Sequence, residues 1–240
     1  MAERAAIVTG ISGGIGLAIA DVLGEEGYAM TVASRKPDKL ATAAESLRAK
    51  GYDINEVPAD LGDEDAIKNV VGQHRERYGR LDVLVNNAGV GIGAPVGEIA
   101  TKRLDLQLDV NLRSIVLFYR ETLDMLQAAG AEHGQALVVN TASLAGKSGQ
   151  PWLSVYSATK FGVVGWTQAM NKELATQGIK STALCPGFVD TAMTDFVKET
   201  VKAEEMIQPS DIGETVRFLL HISRFCLIPE VMYLRPGEQL

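Results

Sequence analysis

Thr9-Gly10-Ile11-Ser12-Gly13-Gly14-Ile15-Gly16 follows directly on the apolar run Ala5 to Thr9 and leads into Leu17-Ala18-Ile19-Ala20, where a helical pattern opens. Four glycines between a strand and a helix leave backbone bare. A chain without side chains at these points can approach a pyrophosphate, whose charge is met by unpaired amides at the helix N-terminus. The spacing is Gly-x3-Gly-x-Gly, not the commoner Gly-x-Gly-x2-Gly, so the generic fingerprint is not met. A merely flexible turn would read the same way. Position argues for the phosphate cradle, because the first strand-to-helix turn of an α/β sheet is where a dinucleotide binds. Gly10, Ser12, Gly14, Ile15 and Gly16 are the candidate contacts of this turn.

Outward from the cradle, short apolar runs alternate with amphipathic stretches. Candidate strands are Ala5–Thr9, Tyr28–Ser34, Ile54–Pro58, Val83–Asn86, Ala136–Thr141, Ile179–Cys185 and Val231–Leu234. Between them Ile67, Val70, Val71, His74 and Tyr78 recur at helical spacing on one face, which makes His74 a core histidine. Gly27, Gly51, Gly79 and Gly178 mark helix exits. Gly130 to Gly134 reads as a surface loop with His133 in solvent. Strands alternating with helices require right-handed crossovers. The expected fold is therefore α/β: one doubly wound Rossmann domain over residues 1–240, a seven-stranded, mostly parallel sheet with helices on both faces. Ligands of such sheets sit beyond the carboxyl ends of the strands.

With 240 residues and 46% hydrophobic content, one core accommodates the apolar side chains. A formal charge of −7, with no run of like charge, argues against nucleic-acid binding. Two cysteines, Cys185 and Cys226, are too few for a disulfide framework. They and the three histidines lack metal-ligand spacing, so no metal is expected. The N-terminus lacks a signal-peptide pattern, and no stretch approaches the roughly 20 apolar residues of a membrane span. A soluble, cytoplasmic protein without membrane partners is the expectation.

The end of strand two selects between cofactors. An acidic residue about 20 positions beyond the glycines would bond a free ribose; here Ala33-Ser34-Arg35-Lys36 stands instead. A guanidinium fork suits a 2′-phosphate, so Ser34 and Arg35 favour NADP(H) over NAD(H). Arg35 and Lys36 would also serve as a solvated helix start.

Further along, Tyr156-Ser157-Ala158-Thr159-Lys160 opens a helix and sets phenol and ammonium one turn apart. A phenol with a reference pKa near 10 is a poor acid–base group at neutral pH, and an adjacent cation lowers it. Alone the pair is weak, since such spacing is common on solvated helices. Ser143 after strand five and Asn86-Asn87-Ala88-Gly89 after strand four converge on the same sheet edge.

Together these pieces resemble the short-chain dehydrogenase/reductase family, in order from Thr9 to about Thr191. They are Thr9-Gly10-x3-Gly14-x-Gly16, Asp60-Leu61, Asn86-Asn87-Ala88-Gly89, Asn111, Ser143, Tyr156-x3-Lys160 and Pro186-Gly187-x3-Thr191. The resemblance implies NADP(H)-dependent interconversion of a carbonyl and an alcohol on a small-molecule substrate. Tyr156 is then the general acid/base, Ser143 the hydroxyl that holds the substrate oxygen, and Lys160 both the cation beside the phenol and a ligand of the nicotinamide ribose. Asn111 completes the proton relay, where a buried amide otherwise needs a specific partner. Asp60 and Leu61 face the adenine. Asn87, Ala88 and Gly89 line the adenosine ribose, while Pro186, Gly187, Val189 and Thr191 form the carboxamide pocket. Asn86 braces the sheet.

The tail Val231-Met232-Tyr233-Leu234-Arg235-Pro236-Gly237 departs from the family's paired-glycine ending, which weakens assignment to the acyl-carrier-protein reductases. Substrate selection falls to Leu144–Trp152 and Phe188–Met206, where Trp152, Leu153, Phe188, Met193 and Phe196 suggest an apolar pocket or, equally, packing surfaces. The resemblance also implies a homo-oligomer, dimer or tetramer, paired through the helices that contain Asn111 and Tyr156. A 3-oxoacyl thioester reductase is the alternative enzyme reading, and an NADP(H)-sensing binding protein without turnover is the reading from another class.

Overall fold

The computed structural model describes residues 3–238. Its strands are β1 Ala5–Thr9, β2 Ala29–Ser34, β3 Ile54–Pro58, β4 Val83–Asn86, β5 Ala136–Thr141, β6 Ile179–Pro186 and β7 Glu230–Tyr233. They form one sheet in the order β3-β2-β1-β4-β5-β6-β7, and every pairing is parallel. Four strands fall where the apolar runs put them, and three shift by one residue.

The central strands read as continuous apolar runs because both faces are covered. Helices α1 Gly14–Glu25, α2 Pro37–Arg48 and α7 Pro209–His221 cover one face, burying Ile19, Leu23, Leu40, Leu47 and Val216. Helix α3 Glu64–Tyr78 packs on the other with α5 Ser114–His133 and α6 Ser154–Leu174, around Ile67, Leu84, Phe118, Leu126 and Val163. The short α4, Thr101–Leu108, joins α5 through one π turn at Asp109–Arg113.

The four glycines read as helix exits all have positive φ. The expected surface loop at Gly130–Gly134 is a correction: α5 continues through His133, and only Gly134 (φ 71°) ends it. Gly130 lies inside the helix for space, since a Cβ there would fall 2.6 Å from the Gln177 carbonyl oxygen. His133 is exposed as expected, though its Nε2 lies 2.5 Å from an Arg80 guanidinium nitrogen. His74 is fully buried between Thr31 and the Arg80 carbonyl, with both ring nitrogens bonded at 2.8 Å.

Candidate active site

The strand order reverses between β1 and β4, so the segments leaving these strands diverge and open a crevice. Thr9 ties them together. Its hydroxyl donates to the Val85 carbonyl (3.1 Å) and accepts from the amides of Asn87 (3.0 Å) and Ala88 (3.1 Å). The Asn87 side-chain Nδ2 donates at 3.2 Å to the carbonyls of both Thr9 and Gly10. Side chains would not fit between these turns: a Cβ on Gly16 would lie 2.4 Å from the Gly10 oxygen, and one on Gly10 would lie 2.8 Å from Ala88 Cα.

Helix α1 begins without a side-chain cap and with no acid in its first turn. Helix α3, by contrast, is capped by Asp63 and carries Glu64 and Asp65. The first-turn amides and positive dipole end of α1 are thus left to an anion. Ser12 is exposed beside this terminus, and Arg35 is exposed at the end of β2 with no ion pair among the described residues. Buried Ser34 ends β2. A pyrophosphate and an adenosine 2′-phosphate fit this donor set, and the two residues directly after β2 are the cations Arg35 and Lys36.

Lys160 is buried, and its ammonium donates to the Thr141 carbonyl at 2.7 Å. Thr141 in turn donates to Asn87 Oδ1 at 3.1 Å, which links the lysine to the glycine turn through two residues, Thr141 and Asn87. Burial draws the Lys160 pKa down to about 8. Its Nζ lies 5.6 Å from the centroid of the Tyr156 ring. Burial pushes the Tyr156 phenol up from its ordinary value, and the Ser143 hydroxyl is the opposing influence. Within the folded chain the Lys160 ammonium is bonded to Thr141, and desolvation is the larger influence on the phenol.

Ser143 accepts from the Ala145 amide at 3.1 Å, capping the 3-10 turn Leu144–Gly146 while facing Tyr156. Asn111 lies fully buried in the π turn, a feature frequent at functional sites. Its partners are specific: Oδ1 accepts from the Val90 amide (2.7 Å), and Nδ2 donates to the Val90 carbonyl (2.8 Å) and to Thr159 (3.1 Å). Gly89 lies against both groups, since a Cβ there would be 3.3 Å from Asn111 Oδ1 and 3.5 Å from Lys160 Nζ.

Thr191 reaches the cradle, because its Cγ2 would lie 2.7 Å from a Cβ on Gly14. Val189 is buried, bridging to Ile207, and Gly187 at the end of β6 bonds back to the Tyr233 carbonyl at 3.0 Å. Asp60 is exposed, with Oδ1 accepting from the Gly62 amide. The Leu61 side chain is buried in the core cluster that also holds Ile67 and Val70 of α3. Trp152, Met193 and Phe196 are more exposed than a closed apolar pocket requires, at 57%, 50% and 65%.

Asn86 braces the sheet as read, but its partners and the return of the tail escaped the sequence reading. Beneath the site, Asn86 donates to Asn140 (2.9 Å), and Asn140 donates to Thr167 (2.9 Å) and Tyr119 (3.2 Å). The signal was available, since Asn86 and Asn140 are register partners at the ends of adjacent strands. The tail also returns to the site: the Glu238 carboxylate lies against Gly187, and Arg235 stacks 5.5 Å over the Phe188 ring. No sequence spacing announces that contact.

An open parallel sheet with an uncapped glycine turn at its switch point and a tyrosine–lysine pair beside it defines a dinucleotide-dependent enzyme. A family model described as short chain dehydrogenase matches residues 4–202. A putative ketoacyl reductase from Streptomyces coelicolor is 39% identical over 238 residues, covering 91% of this chain and 90% of that relative. An alcohol dehydrogenase from the archaeon Thermococcus sibiricus, solved with 5-hydroxy-NADP, superposes with a TM-score of 0.87 at 28% identity, covering 99% and 98% of the two chains. A variant of actinorhodin polyketide ketoreductase with NADPH gives 0.87 at 34% identity, covering 98% and 96%. The chain belongs to the short-chain dehydrogenase family and is an oxidoreductase of the CH–OH/C=O pair. No helix among the described residues is long and apolar enough to cross a membrane, and no cluster of three or more metal-ligating side chains occurs among them.

Proposed function

We propose that the protein reduces a small to medium carbonyl compound with NADPH and that Tyr156 donates the proton. The observation that carries this reading is the convergence of Tyr156, Ser143 and Lys160 on the crevice whose floor is the uncapped α1 turn. Solved relatives of similar fold hold NADPH or an NADP derivative, and Arg35 supplies the cation that a 2′-phosphate needs. Gly10, Gly14 and Gly16 admit the pyrophosphate, while Asn87–Gly89 and Pro186–Thr191 flank the rest of the dinucleotide.

NADPH, when bound, supplies hydride to the carbonyl carbon. The Tyr156 phenol gives its proton to the carbonyl oxygen, and the Ser143 hydroxyl donates a hydrogen bond where negative charge grows. A phenol held above its ordinary pKa stays protonated at neutral pH, which suits reduction. Oxidation needs the phenolate and so a higher pH. Lys160, poised near neutrality by burial, supplies the charge that stabilises phenolate after transfer. Asn111 fixes Val90 and the loop above the lysine.

A 3-oxoacyl thioester is the second substrate class, favoured by the Streptomyces coelicolor relative's description as a ketoacyl reductase. The atypical tail weakens that assignment, and only a substrate panel separates the two. We propose a homo-oligomer paired through α5 and α6, which light scattering in solution reads directly. The test of the reaction is NADPH oxidation with aldehydes, ketones and oxoacyl thioesters. In Tyr156→Phe we expect kcat to fall at least a hundredfold with NADPH binding retained. Full activity in that variant removes Tyr156 as the acid. NADPH binding without turnover on every substrate replaces the enzyme reading with a sensor.

A further inference from the structure

The segment Gly89-Val90-Gly91-Ile92-Gly93-Ala94 runs across α6 as an extended strip held on alternate residues. Val90 is clasped by Asn111, the Ile92 amide donates to Gln107 Oε1 (3.0 Å), and the Ala94 amide donates to the Trp152 carbonyl (2.8 Å). The intervening glycines each face one side chain. A Cβ on Gly89 would lie 3.5 Å from Lys160 Nζ, one on Gly91 would lie 3.7 Å from the Tyr156 ring, and one on Gly93 would lie 2.4 Å from the Trp152 indole.

Those partners are residues 160, 156 and 152. Four residues of helix advance about 6 Å, and two residues of extended chain advance about 6.6 Å. The periods match from Lys160 to Tyr156, and Trp152, in the turn before α6 begins at Ser154, continues the row as a third rung through its contact with Gly93. Trp152 is that rung, on the far side of Tyr156 from Lys160.

Trp152 is also the one non-glycine residue with positive φ (67°) among the described residues. Glycine would adopt this backbone without strain, so what tryptophan adds is its indole. One side of the ring rests on Gly93, and the residue remains 57% exposed. The cavity bounded by Trp152, Ile92 and Gln107 holds only about 10 Å³, too little for a substrate group beneath the ring. A substrate group therefore has the outer surface of the indole to meet.

We infer that Trp152 is a specificity-determining residue whose exposed indole receives an aromatic or flat apolar group attached to the carbonyl presented to Tyr156. The inference rests on the carbonyl-reductase reading and narrows its substrate class. Lys160, Tyr156 and Trp152 then divide one row of side chains among dinucleotide, reacting carbonyl and substrate body.

The test compares two diketones that differ by one group, 1-phenylpropane-1,2-dione and butane-2,3-dione. In the wild type we expect the phenyl compound to have the higher kcat/KM. In Trp152→Gly, which relieves the positive φ, the ratio of the two values should fall at least tenfold; in Trp152→Phe most of it should return. The chain has two tryptophans, so Trp166→Phe leaves Trp152 as the only indole, and its fluorescence with NADP+ present should be quenched saturably by the phenyl dione and not by butane-2,3-dione. Turnover with an unchanged ratio in Trp152→Gly and no quenching overturns the aromatic contact and leaves the reaction standing. Saturable quenching without turnover of any carbonyl leaves the contact and removes the reaction. Neither turnover nor quenching removes both.

Discussion

Gly16 and Gly72 are both helical glycines, and replacing each by alanine separates backbone propensity from close approach. Removing a helical glycine gains up to about 1 kcal/mol. At Gly72, exposed on α3, a Cβ meets nothing within 4 Å, so Gly72→Ala should realise that gain. For a chain of this size the melting temperature should rise by about 2–4 °C. At Gly16 the same Cβ would fall 2.4 Å from the Gly10 oxygen and 2.5 Å from Asn87 Nδ2. Relief means moving one of them by about 1 Å, at a typical overpacking cost of 1–3 kcal/mol. Loss of an Asn87 bond to the Thr9 or Gly10 carbonyl adds about 1 kcal/mol. The net expectation is a loss of roughly 1–3 kcal/mol and several degrees of melting temperature. Because the displaced atoms form the cradle, NADPH affinity should weaken at least tenfold, or about 1.4 kcal/mol. Thermal melts followed by circular dichroism and a titration of NADPH fluorescence read both effects. A Gly16→Ala protein that melts like Gly72→Ala and binds NADPH like the wild type would refute the close-approach argument and the cradle built on it.

Exchanging Arg35 for glutamate places a carboxylate where a 2′-phosphate is expected; kcat/KM with NADPH should fall at least tenfold while that with NADH holds or rises. Equal losses with both cofactors would assign Arg35 to folding instead. His74 offers a pH test of the core. Burial draws its folded pKa down to about 4, against an ordinary value near 6.5, so the unfolded chain binds more protons between these values. The stability it confers as a neutral ring is complete above pH 6.5 and is lost as pH falls toward 4, by about 3 kcal/mol at most. Urea unfolding at a series of pH values should show this slope in the wild type and a shallower one in His74→Gln; equal slopes would clear His74 of the effect.

Much of the fold was legible because a parallel sheet covered on both faces needs apolar strands, and residues 5–8, 83–85 and 136–139 are such runs. The helix ends before β2, β3, β4 and β6 were legible because Gly27, Gly51, Gly79 and Gly178 mark them. The reading failed at Gly130, where glycine in a helix looks like a break unless the approach of residues 177–178 is known. For the catalytic candidates, sequence supplied identity and spacing along one helix. It did not supply the direction of the Lys160 ammonium, which Thr141 decides, or the solvation of the Tyr156 phenol.

What the chain determines by itself is order: alternating elements, a bare turn after the first strand, an arginine after the second, and tyrosine and lysine one turn apart. These are local facts, written in spacing and residue type. Tertiary structure alone decides convergence. The parallel crossovers carry residues 9, 87, 141 and 160 to one edge and join them by hydrogen bonds. The strip 89–94 meets Lys160, Tyr156 and Trp152 in order because its rise agrees with that of the helix from 160 to 156 and the turn before α6 carries Trp152 on to Gly93. Such a match compares two distant segments, and neither segment shows it until the fold sets them side by side.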